Sequence, residues 1–174
     1  MERAEKVGDM LKVFALEPIN EDTMDFFCET IDDQPYAEGL KLVRAIVEKR
    51  ASLTLFAPGT LDMIIEKSGG SLRDVFAMIM GAARLARRRD DVCIHLADAQ
   101  WAATELKSAR TRCIEQKDYQ MLADIHKHHR TEILDKSKML EMMQGMVVLE
   151  YNGDSWHDVH PLVADFLRSI GRLS

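Results

Sequence analysis

The stretch Ser68-Gly69-Gly70-Ser71-Leu72-Arg73-Asp74 holds the residues whose types and spacing best suit chemistry, and the chemistry is recognition of an anion. Gly69 and Gly70 can take φ > 0 and end the apolar-periodic segment before them. Ser71 can then cap the next helix, with Asp74 three residues on to answer it. Arg73 falls in the first turn of that helix, where a cation opposes the macrodipole and gains nothing as a stabiliser. An external anion would explain it better than helix stabilisation does; the alternative is a solvated surface arginine near the carboxylate of Asp74. Arg50, which ends an earlier helical segment, is a weaker candidate for a phosphate or intersubunit contact, because the dipole at a helix C-terminus already explains a cation there.

Other constellations read as structural. His126, His128 and His129 lack the i, i+4 pair that a zinc-binding helix presents, so a polar helix end is expected and no metal site. His157 and His160 flank Val159, where a turn contact or a cap for the last helix is the ordinary reading. Cys28, Cys93 and Cys113 show no Cys-x-x-Cys spacing and are expected as buried small hydrophobes. Cys93 lies two residues before His95 in a segment that reads as a short strand, and no Gly-x-Ser-x-Gly turn occurs. No catalytic residue is assigned, and independent enzymatic chemistry is not expected. The cluster Arg84, Arg87, Arg88, Arg89 stands at the C-terminal end of the helix that Arg73 begins, where the dipole favours cations. Met139, Met142, Met143 and Met146 form a stripe that reads as core filling, on a side-chain type that also adapts to partners.

The elements that must position these residues belong to a globular chain. Its 174 residues, 47% hydrophobic, suffice for one ordinary domain or two small ones. A net charge of −6 argues against a general nucleic-acid binder, since duplex binding is driven by cations that neutralise phosphates. No apolar run reaches membrane-spanning length and the start lacks a secretory layout, so a cytoplasmic location is the expectation.

Residues 1–35 are ambiguous between helix and strand over Arg3 to Leu16, with a short helix expected after Asn20. From Ala37, Leu40, Val43, Ile46 and Val47 keep helical spacing, and Pro58 and Thr60 open a second helix. A long helix from Ser71 to about Arg88 carries a broad apolar face, followed by helices over Ala99 to Ile114 and after Asp118. The end changes character. A helix around Leu140 leads to a strand at Met146 to Tyr151, a turn at Asn152-Gly153-Asp154, a second strand at Ser155 to Val159 and a final helix opened by Pro161. The fold class is therefore mainly α: a helical bundle over 36–131, then a small winged-helix-like unit with one β-hairpin over 132–174.

Three segments together resemble the C-terminal part of bacterial P-loop ATPases of the AAA+ or STAND type, over about Tyr36 to the C-terminus. They are Glu38-Gly39-Leu40 with Val43, Ile46, Val47 and Lys49-Arg50; Ser68 to Arg73; and Val148 to Trp156 with Val159-His160-Pro161-Leu162-Val163. The resemblance implies a helical lid in which Arg73 is the nucleotide sensor called sensor 2, set by the turn of Ser68, Gly69 and Gly70, followed by a winged-helix-like module. It also implies ATP and Mg²⁺ in a separate core, with residues 1–35 a linker or the remainder of that core. The expected partners are that core, a protein met through the winged-helix-like unit, and further copies of the chain. No Gly-x-x-x-x-Gly-Lys-[Ser/Thr] loop occurs, so the chain alone is expected to bind ATP weakly at best and not to hydrolyse it. The rival reading is a DNA-binding winged helix acting as an initiator or regulator. From Thr131 to Ser174 four bases stand against seven acids, so protein contact is favoured over DNA.

Overall fold

The computed structural model describes residues 30–31, 34–35, 37–129, 136–151 and 156–173. The expected helix after Asn20, the ambiguous segment Arg3 to Leu16, Cys28 and the hairpin turn Asn152-Gly153-Asp154 lie outside them. Two short strands, β1 (Thr30–Ile31) and β2 (Gln34–Pro35), pair antiparallel ahead of α1 (Ala37–Glu48), α2 (Thr60–Lys67), α3 (Leu72–Arg88) and α4 (Leu96–Thr111). Then come α5 (Tyr119–His128), α6 (Lys136–Gln144), the antiparallel pair β3 (Val148–Tyr151) and β4 (Trp156–Val159), and α7 (Pro161–Ser169). The chain is mainly helical with one β-hairpin after the bundle, and divides into two compact units, Met1–Thr104 and Glu105–Ser174.

In the first unit α3 is the central element. Leu72, Val75, Phe76, Ile79, Ala82, Ala83 and Ala86 recur at three- and four-residue steps and are all buried, which is the spacing that gives a helix one continuous apolar face. Val43 and Val47 of α1, Leu61, Ile64 and Ile65 of α2, and Ala99, Ala102 and Ala103 of α4 are buried too. The alanines of α4 have a purpose. A Cβ on Gly81 of α3 would lie 3.1 Å from the Ala102 Cβ, so small residues on both helices permit their close approach. The loop after α3 is held by backbone bonds from Ile94 N–H to Leu55 O (2.7 Å) and from Ala57 N–H to Ile94 O (2.9 Å), which form one parallel bridge. That bridge is all that forms, among the described residues, of the short strand expected around Cys93-Ile94-His95.

In the second unit Ile114, Leu122, Ile125, Met142, Val147, Val148, Val159, Val163, Ala164 and Leu167 make one apolar cluster. Two of these residues, Leu122 and Ile125, belong to α5, so α5 packs with the hairpin and α7 although 36–131 was expected as one bundle. An amphipathic face states that a helix must be covered and leaves the covering element open. The hairpin register runs from Val148 opposite Val159 to Tyr151 opposite Trp156. Pro161 opens α7 at its first turn, and His160, fully buried, caps it by accepting from the Leu162 N–H at 3.1 Å. Met142 is buried and Met139 packs on the cluster, which fits the core-filling role. Met146 departs from the expected strand: it takes φ +51° just before β3.

The cysteines are a correction. Cys113 is exposed and Cys93 half-buried, because Cys113 follows the end of α4 in a turn rather than on an apolar face.

Candidate functional site

The turn between α2 and α3 is built by its own side chains. Ser68 ends α2 and is fully buried; its hydroxyl donates to Ile65 O at 2.6 Å and accepts from the Gly70 N–H at 3.1 Å. Gly69 and Gly70 take φ +60° and +81°, the left-handed region that residues with a Cβ enter at a cost. Ser71 then caps α3, accepting from the Asp74 N–H at 3.3 Å. The N–H groups of Gly69, Gly70 and Ser71 go to Glu66 O, the Ser68 hydroxyl and Ser68 O. With its amides spent internally, the turn is a support for Arg73 rather than a backbone cradle for phosphate.

Arg73 is exposed in the first turn of α3 and meets no carboxylate among the described residues. Asp74 beside it is buried, 1% exposed, on a different side of the helix. A cation in this first turn adds to the positive helix end, while the neighbouring Asp74 carboxylate offsets it. Arg50 is placed otherwise. It lies two residues beyond α1, and its guanidinium stands 5.6 Å from the centroid of the Phe76 ring, a cation–π contact that braces the end of α1 against α3.

The C-terminal end of α3 holds a pair that sequence reasoning missed. Arg89 donates both arms of its guanidinium to Asp98 of α4, one at 2.8 Å, and the Asp98 carboxylate also accepts the His95 N–H at 2.9 Å. Asp98 is buried, and the hydrogen bond from Arg89 holds its carboxyl below the usual carboxylate range against the opposing effect of burial. The pattern His95-x-x-Asp98, a carboxylate three residues after a helix cap, was the available signal. Asp91, in the loop between, accepts the Cys93 N–H at 2.9 Å and faces His95 Nε2 at 2.9 Å, and its carboxyl is lowered first by the Cys93 amide and then by His95. Burial pushes the Cys93 thiol up, the opposite of what a nucleophile needs.

The histidines of the second unit also enter a network. His126 Nδ1 lies 2.7 Å from Asp158 and its Nε2 lies 3.3 Å from the Arg168 guanidinium. Arginine only donates, so Nε2 accepts, and Nδ1–H donates to Asp158: the tautomer is fixed and α5 is tied to β4 and α7. His129, at the left-handed end of α5, stands 3.8 Å from the other Asp158 oxygen. No group of three or more potential metal ligands occurs among the described residues. None of the helices among the described residues is long and apolar enough to cross a membrane.

Comparison of the chain with family models, with curated proteins and with solved structures gives no match.

Proposed function

We infer that the chain is the helical lid and winged-helix-like region of a cytoplasmic P-loop ATPase of the AAA+ or STAND type, in which Arg73 senses the nucleotide phosphates. The observation that carries this reading is Arg73 itself: an exposed guanidinium at the positive end of α3, set there by a left-handed Gly69-Gly70 turn and a Ser71 cap. Fold stability does not select a cation at that place, whereas an approaching phosphate does. ATP and Mg²⁺ are held by the core; this chain contributes the sensor, and closure of the lid on bound nucleotide carries phosphate charge into domain orientation. The helix–hairpin–helix order from α6 to α7 supports the winged-helix-like part, whose role is contact with a protein partner or with further copies of the chain.

The test uses the polypeptide that joins this chain to its phosphate-binding core. A charge-assisted hydrogen bond to phosphate is worth about 1.5–3 kcal/mol, so Arg73→Ala is expected to change nucleotide affinity or turnover by roughly 10- to 100-fold with the melting temperature unchanged. The chain without the core releases no phosphate from Mg²⁺-ATP. Nucleotide handling that is untouched by Arg73→Ala, or a reading frame and gene neighbourhood without any phosphate-binding loop, refutes the assignment.

A further inference from the structure

Arg73 is one end of a longer cationic face. At about 100° per residue, Arg73, Ala77, Met80, Arg84, Arg87 and Arg88 fall within an arc of about 100° on α3, opposite the buried Val75, Ile79, Ala82 and Ala86. All four arginines are exposed, and α3 has no carboxylate except the buried Asp74. Arg44, Arg89 and Arg168 each meet a carboxylate, on Asp62, Asp98 and Asp165; none of the four arginines on this face does so among the described residues. The helix dipole accounts for Arg87 and Arg88 in the last turn, but its effect fades within that turn and leaves Arg84 without a reason. Arg73 and Arg84 are separated by about 16 Å of helix rise, longer than a triphosphate chain. An anion held at Arg73 does not also serve Arg84, Arg87 and Arg88.

We propose that Arg84, Arg87 and Arg88, with Met80 beside them, form a docking surface for an acidic segment of a partner protein. Three guanidinium forks on one helical face match carboxylates presented at a similar pitch, and the half-buried Met80 offers a flexible apolar contact to a side chain between those carboxylates. Nucleic acid suits the face less well. It carries no aromatic side chain on which a base could stack, and the chain's net charge of −6 repels a polyanion that extends past the patch. This surface stands independently of the role assigned to Arg73.

The experiment measures anisotropy of a fluorescein-labelled peptide of repeated Glu-Glu-Leu titrated with the full chain. Binding is expected to saturate, to weaken as salt rises, and to fall about tenfold or more in R84E/R87E/R88E, in line with three exposed charge pairs lost and turned repulsive. If that variant fails to fold by circular dichroism, R84Q and R88Q replace it, each with a smaller loss expected. ATP should not displace the peptide and R73A should bind it as the parent does. The proposal is overturned by absence of saturable binding at low salt, by binding that the charge variants retain, by loss of binding in R73A, or by random-sequence duplex DNA binding more tightly than the peptide through the same arginines. Failure of Arg73 to affect nucleotide handling in the joined ATPase would leave this outcome unchanged, so the two readings fail separately.

Discussion

Asp98→Ala is expected to destabilise the first unit by about 2 kcal/mol. The wild-type carboxylate is buried, takes both arms of Arg89 and accepts the His95 N–H that would otherwise be unsatisfied at the start of α4. Hydrogen bonds to a charged group contribute about 1.5–3 kcal/mol and a helix cap about 1, while removing a buried carboxylate returns part of its desolvation cost. The net is about 2 kcal/mol, which for a unit of this size lowers the melting temperature by roughly 8–16 °C. Trp101, one turn along α4 from Asp98, reports the transition by its fluorescence once the other tryptophan is removed as Trp156→Phe. The difference between parent and variant has a pH signature. Because Arg89 depresses the Asp98 pKa in the folded state, the stabilisation is complete above the unfolded value of about 4 and is lost as pH falls through the lower folded value. Parent and variant should therefore converge in strongly acidic solution. A gap of the same size at pH 7 and in strongly acidic solution, or no gap at all, would refute the account of α3 and α4 as pinned by this carboxylate.

Two further outcomes concern the turn and its arginine. Gly70→Ala places a Cβ at φ +81° and is expected to cost about 1–2 kcal/mol, read as a lower urea midpoint; an unchanged midpoint would show that the turn relaxes to another conformation. Arg73→Glu puts an acid where the dipole favours one and should raise stability by about 0.5–1 kcal/mol while abolishing any response to nucleotide in the joined ATPase, and a loss of stability would mean that Arg73 serves the fold.

The parts of the fold legible in the sequence are those fixed by neighbours along the chain. Ser68, the two glycines and Ser71 specify the turn and the cap within four residues, and the structure has both with the expected φ signs and the expected serine bond. Pro161 and the alternation before it likewise specify β4 and α7 from local chemistry. What depends on distant partners was not legible. The apolar face of α5 suits either unit, and only the positions of Val148, Val159 and Val163 decide that Leu122 and Ile125 pack with the hairpin. The burial of Asp98 depends on Arg89 arriving from the far side of a loop, which spacing alone does not reveal. His126 has the same character: its partners Asp158 and Arg168 are 32 and 42 residues away.

The charge layout of α3 separates what the helix needs from what it offers. Its last turn has Arg87 and Arg88, where cations favour the helix, and Arg89 beyond them is committed to Asp98. Its first turn has Asp74 buried, doing the work an acid does at that end, and Arg73 exposed, working against it. Folding alone would tolerate almost any polar residue at Arg73 and would gain from an acidic one. A stable helix with its buried face complete, one cation at the wrong end and a further one at Arg84 beyond the reach of the C-terminal field has surplus positive charge on the side that faces solvent. That surplus costs little in the isolated chain, because solvent screens it, and acquires value only when an anion arrives. The two proposed roles, phosphate at its N-terminal end and carboxylates at the other, both rest on this surplus on one face of α3.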